Sequence, residues 1–163
     1  MCLFSDHEIQ SMMQSGSLRI VGFAPEGLTP NGYDLRVAEV RMEGNEVSEK
    51  EGTILVPARS MFYVSTVERV ELPNDVAAQL WARTSWIRKG VMVGLGKVDA
   101  GFRGTLTFTA FNASGKDLEL PIGSRFVQIV FERMHSPVAQ TYEKRSGNYQ
   151  NQSGVTLAPI KKP

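Results

Sequence analysis

The segment "TLTFTAF", residues 105 to 111, alternates polar and apolar side chains through Ala110. Successive side chains of a strand point to opposite faces, so Leu106, Phe108 and Ala110 share one face while Thr105, Thr107 and Thr109 share the other. A 3.6-residue period cannot sort these residues in that way, which commits the segment to a half-buried strand. The same grammar recurs in "SLRIVGF", "YDLRVAEVRM", "TILVPA", "FYVSTVERVEL", "VMVGL", "LELPI" and "RFVQIVFER". These runs are short, rich in β-branched and aromatic residues, and separated by Gly, Pro, Asn or Asp. Many short strands at near-regular spacing predict a sandwich, jelly roll or small barrel.

One helix precedes them. Ser5 and Glu8 form a capping box, Ile9, Met12 and Met13 make an apolar stripe, and Gly16 supplies the stop. The stretch "LPNDVAAQLWARTSWIRKG" reads as a strand to Arg83 followed by one helical turn, capped by Ser85 and ended by Gly90. Beyond Pro137 the composition turns polar and aperiodic, which predicts a mobile tail. The expectation is one domain over 1–163, with an N-terminal helix over 1–16, a β core over 17–135 and a C-terminal lid or tail over 136–163.

Composition narrows the function classes. With 18 basic and 17 acidic residues the net charge is +1, which gives no overall pull toward nucleic acid or a membrane surface. Two histidines and one cysteine provide no zinc-ligand or Cys/His nucleophile spacing, and the H-x-E with P-C-x-x-C pattern of zinc deaminases is absent. The lone Cys2 and the early charges in "MCLFSDHEIQ" give the expectation of a cytoplasmic protein.

Five stretches could carry chemistry. "ARTSWIRKG" offers Arg83, Thr84, Ser85 and Arg88 around a helix start, a seat for an anion or else a plain capped turn. "TPNGYDLRV" places Asp34 at a strand mouth, where it orients a metal-bound water or closes its own turn. "GKVDAGFRG" holds Asp99 among Gly96, Gly101 and Gly104, a general base or a hairpin Asp, with Phe102 as sugar platform or core. Gln128 interrupts the apolar strand "RFVQIVF" and needs a partner, from the core or from a ligand. The tail "YEKRSGNYQNQSG" carries Tyr142, Lys144, Arg145, Tyr149 and Gln152 on a segment suited to closing over a charged ligand or to solvated disorder.

In order and spacing, "GYDLRV", "ARTSWIRKG", "GKVDAGFRG", "GSRFVQIVF" and "YQNQSG" resemble the five motifs of the dUTPase and dCTP deaminase superfamily over residues 29 to 154. Within it the likeness reads as nearest to the archaeal-type dUTPases. The resemblance implies an all-β, distorted jelly-roll or β-clip fold, a homotrimer with sites at subunit boundaries, and a dUTP diphosphatase that makes dUMP with magnesium as cofactor. By the same resemblance Asp99 is the catalytic base and touches the 3'-hydroxyl. Phe102 packs under deoxyribose, and Asp34 orients the metal through water. The phosphates fall to Arg83, Thr84, Ser85, Arg88, Gln128, Tyr142, Arg145, Tyr149 and Gln152. The base is read by Leu95, Gly96, Lys97, Val98, Thr107, Phe108 and Thr109. Two positions depart from the deaminating members. Thr109 stands where they carry a glutamate proton shuttle, which turns the expectation from deaminase toward hydrolase, and Asn148 stands where they carry a phosphate-binding lysine.

Overall fold

The computed structural model describes residues 2–160. Its elements in chain order are β1 (Cys2–Leu3), α1 (Asp6–Gln14), β2 (Arg19–Val21), β3 (Leu28–Thr29), β4 (Gly32–Met42), β5 (Thr53–Val56), β6 (Met61–Thr66), β7 (Arg69–Glu71), β8 (Val76–Ala82), α2 (Thr84–Ile87), β9 (Val91–Val93), β10 (Lys97–Val98), β11 (Arg103–Gly104), β12 (Thr107–Asn112), β13 (Leu118–Pro121), β14 (Arg125–Arg133) and α3 (Tyr142–Arg145). The fold is all-β and jelly-roll-like with a short N-terminal helix, as the strand grammar requires.

Nine strands form one curled sheet in the order β10-β8-β14-β4-β6-β12-β9, with β1 added on β14 and β3 on β4. Two small sheets, β11-β7-β2 and β13-β5, cover it. Every recorded pairing is antiparallel. The buried faces meet in a core that includes Tyr33, Leu35, Phe62, Phe126, Ile129 and Phe131. Each such side chain contributes about 1.5–3 kcal/mol by leaving water. The alternation in β12 is realised: Leu106, Phe108 and Ala110 are buried, and Thr109 is exposed.

The strand β4 spans the corner of the curl. Its first half pairs with β14, with Tyr33 opposite Ile129 and Asp34 opposite Gln128. Its second half pairs with β6, with Glu39 opposite Ser65 and Arg41 opposite Tyr63, and the register shifts between Val37 and Glu39. That shift is a bulge. Tyr33, Leu35 and Val37 lie in the core before it, and Val40 lies there after it, so one extra residue has been spent on bending the strand.

Local chemistry explains the ends of elements. The capping box at Ser5 and Glu8 forms as expected and is worth about 1 kcal/mol. The turn α2 starts earlier than expected: its N-cap is Arg83, whose carbonyl accepts the N–H groups of Trp86 and Ile87, and Ser85 lies inside the helix rather than capping it. The single run expected over "FYVSTVERVEL" is cut into β6 and β7, because Glu68 turns inward and is fully buried. There it accepts the Oη–H of Tyr33 at 3.1 Å, the Arg36 backbone N–H at 2.8 Å and the Arg36 Nε–H at 2.6 Å.

The tail follows a path that composition does not disclose. It is laid along the core: Asn151 N–H donates to Arg103 O at 2.7 Å, and Thr105 N–H donates to Gln152 O at 3.1 Å. The Gln152 amide returns a bond to Thr105 O at 2.7 Å. Among the described residues no helix is long and apolar enough to cross a membrane.

Candidate active site

Two cavities receive most of the expected site residues. The first, about 360 Å³, is lined by Gly96, Lys97, Val98, Asp99, Phe102, Thr107, Phe108, Thr109, Tyr142, Tyr149 and Gln152. The strands β10 and β12 form its walls, the tail closes one side, and the loop from β10 to β11 supplies Asp99. Glycine geometry sets that loop. Gly101 has φ +83°, and a Cβ there would come within 2.6 Å of Thr141, so no other residue fits. The tail is tied to the same loop, since Tyr142 N–H donates to Ala100 O at 2.9 Å. Phe102 is buried as floor, with Tyr142 edge-on to it at 5.5 Å between ring centroids. Asp99 is exposed to the cavity.

The second cavity, about 390 Å³, is lined by Thr29, Asp34, Ala82, Arg83, Thr84, Ser85 and Gln128. It sits where β4, β14 and the β8–α2 junction meet, and it shares no lining residue with the first. Asp34, only 3% exposed, receives Arg83 Nε at 2.7 Å and Arg125 Nη1 at 3.5 Å, both on Oδ2. Burial pushes the Asp34 carboxyl above its ordinary value, and the two guanidiniums offset part of that rise. Gln128 donates its amide N–H to Thr29 Oγ1 at 2.8 Å, which satisfies the amide that interrupts the apolar strand.

The remaining expected residues lie apart from these cavities. Arg88 caps the far end of α2, and Leu95 is half-exposed outside the lining of the first cavity. Arg145 lines a third cavity of about 350 Å³ that borders Asp99 and Tyr142. Asn148 accepts Ile160 N–H through its carbonyl at 2.7 Å. Sequence reasoning missed Thr29, Arg125, Thr156 and Leu157. Thr29 and Arg125 lie within the quoted stretches "TPNGYDLRV" and "GSRFVQIVF" without having been singled out, whereas the placement of Thr156 and Leu157 in the first cavity's wall left no signal in the sequence.

The fit of magnesium to Asp34 rests on its donor atoms. Its Oδ2 is engaged by two arginines and the residue is nearly buried, so it does not present an open carboxylate to a hydrated ion. The described residues contain no group of three or more His, Cys, Asp or Glu side chains that could hold a metal. No step below is routed through a metal.

The profile of the dCTP deaminase-like family matches residues 40–134. The chain belongs to this family. It is 42% identical to the dCTP deaminase of Pyrococcus horikoshii over 142 residues, covering 86% of this chain and 89% of that one. A probable deoxyuridine 5'-triphosphate nucleotidohydrolase of Sulfolobus islandicus rod-shaped virus 1 is 32% identical, over 96% of this chain and 98% of its own. In three dimensions the chain resembles the 2'-deoxycytidine 5'-triphosphate deaminase of Agrobacterium tumefaciens, with a TM-score of 0.71 at 17% identity. That match covers 82% of this chain and spans about half, 47%, of the other; it bears on fold alone. These findings correct two expectations. The likeness to archaeal-type dUTPases as the nearest relatives gives way to dCTP deaminases, and with it goes the reading as a dUTP diphosphatase that makes dUMP. The reason is one of weight: the hydrolase reading hung on the single position Thr109, whereas the likeness to a deaminase extends over 142 residues.

Proposed function

We propose that this protein deaminates dCTP, converting dCTP and water to dUTP and ammonia. The observation that carries the reading is the 42% identity to a dCTP deaminase over 86% of the chain. The first cavity supports it in volume and chemistry, with the polar edges of β10 and β12 facing the base and the Phe102 floor under the sugar.

In the reaction the oxygen of water adds to ring carbon 4 of cytosine, and the exocyclic nitrogen leaves as ammonia after taking a proton. A group must accept the proton from water and return it to the leaving nitrogen. Among the described residues Asp99 is the only carboxylate lining the cavity, and it takes that role. Thr109 orients by hydrogen bonding, because its hydroxyl holds no charge at neutral pH. The tail residues Tyr142, Tyr149 and Gln152 keep bulk water out.

The triphosphate falls to the second cavity, where Arg83 offers a guanidinium held by Asp34. The proposed assembly is the homotrimer that the superfamily resemblance implies, in which one copy's seat completes another copy's pocket. The deciding experiment incubates the purified protein with dCTP and follows ammonia, dUTP and pyrophosphate together. Ammonia in step with dUTP supports the reading. Ammonia absent after long incubation overturns it, whatever happens to the phosphates.

A further inference from the structure

The wall of the first cavity includes Thr156 and Leu157, and the one side-chain hydrogen bond recorded for them, from the Thr156 hydroxyl to Ser153 O at 3.1 Å, stays within the tail. What fixes them is the backbone of Val155, gripped at both ends from β4. Glu39 accepts the Val155 N–H through Oε1, and Arg41 Nη2 donates to the Val155 carbonyl at 2.6 Å. Glu39 and Arg41 are two residues apart on one strand and so project from one face. Their cross-strand neighbours continue that face: Glu39 stands opposite Ser65 and Arg41 opposite Tyr63, while Ser65 and Tyr63 stand opposite Thr107 and Thr109. The grip therefore lies on the same side of the sheet as the threonines that line the cavity.

Two further contacts make it specific. The Thr107 hydroxyl donates to Gly154 O at 3.1 Å and accepts Thr156 N–H at 3.1 Å, which spends that hydroxyl on the tail. Gly154 has φ +66°, and a Cβ there would lie 2.7 Å from Glu39 Oε1, so only glycine lets the tail come close enough to be held. Glu39 is 7% exposed, and charge-assisted bonds in such a setting are about twice as strong as neutral ones. Lys50 Nζ approaches the other oxygen, Oε2, at 3.4 Å from an exposed position and adds little.

We infer that Glu39 and Arg41 are positioning residues for the nucleotide pocket: without lining it, they clamp the Val155 backbone and thereby hold Thr156 and Leu157 in its wall. The inference rests on the first cavity being the nucleotide site. The clamp acts on affinity, not on proton transfer, because neither side chain reaches the cavity.

The test pairs two readouts on the full-length protein: hydrogen exchange at the Val155 and Thr156 amides, and equilibrium binding of dCTP. In Glu39→Ala both amides should exchange at least about tenfold faster, with dCTP affinity lowered about tenfold. Glu39→Gln keeps an acceptor and should recover most of both. Gly154→Ala disturbs the clamp from the tail side and should reproduce Glu39→Ala, which guards against a folding defect peculiar to one variant. Unchanged exchange in Glu39→Ala overturns the clamp. Faster exchange with unaltered dCTP binding overturns its link to the pocket. Wild-type protein that binds no dCTP overturns the substrate reading and with it the pocket role assigned here, and exchange alone then decides whether the clamp exists.

Discussion

Arg83 donates its Nε–H to Asp34 Oδ2 at 2.7 Å, tying the start of α2 to the middle of the β4–β14 pair. Asp34 thus fixes a guanidinium whose Nη1 also donates to Arg125 O at 3.3 Å. Asp34→Ala should destabilise the protein by about 2 kcal/mol, the worth of a hydrogen bond to a charged group. It should also raise the KM for dCTP while leaving binding of deoxycytidine unchanged. Calorimetry and a KM comparison between triphosphate and nucleoside check this, and equal losses for both ligands would show that Asp34 supports the whole site instead.

Asp99→Asn should lower ammonia release from dCTP by about 100-fold or more, the usual share of a positioned acid–base group. Affinity for dCTP should hold within a few fold, since the amide is nearly isosteric. Turnover that survives the change would move the proton to another group.

Thr109→Glu offers the converse. Position 109 is exposed on β12 beside Tyr63, with Arg41 next in the same cross-strand row, so a carboxylate can enter without displacing core. If Asp99 carries the proton less directly than a carboxylate at 109 would, deamination should accelerate by about 10- to 100-fold. A slower enzyme would show that the threonine hydroxyl is itself required.

Arg83→Ala and Asp99→Asn should each be inactive alone yet active when co-assembled. In a randomly mixed trimer with sites shared between neighbours, about a quarter of sites regain both residues. Activity near zero after co-expression would place both residues in a site built within one chain.

Alkaline stability should report Tyr33. Its phenol is fully buried, accepts Ala24 N–H at 3.0 Å and donates to Glu68 at 3.1 Å, and burial pushes its pKa from 10.0 up to about 12. The folded state keeps a proton that the unfolded chain gives up, so stability is lost as pH rises from about 10 to 12. Two units correspond to about 3 kcal/mol. Tyr33→Phe should flatten that alkaline slope in denaturant titrations while lowering stability at neutral pH.

The sheet was legible because alternation records burial directly, as the three buried and three threonine positions of residues 105–110 show. The two groups of site residues were legible as motifs. Their separation into two cavities was not, since that depends on β8 carrying Leu80 to one cavity and Ala82 to the other. The path of the tail was not legible for a different reason. Its own side chains are polar and aperiodic, but its order comes from backbone groups taken up by Glu39, Arg41, Thr105 and Thr107, residues too distant in sequence for composition to reveal. The α2 cap was misassigned because a backbone carbonyl, that of Arg83, opens the turn where the sequence offered a serine.

The bulge in β4 decides which way half a strand faces. Ahead of it odd-numbered residues look inward; after it the even-numbered Val40 does, leaving Glu39 and Arg41 free to reach the tail. Running the strand on without the bulge, with Ala38 kept, would impose a single parity along its whole length. Val40 would then turn to the surface, and an acid and an arginine would be driven into the core. The bulge is therefore what lets one strand line the second cavity at one end and grip the chain's own tail at the other.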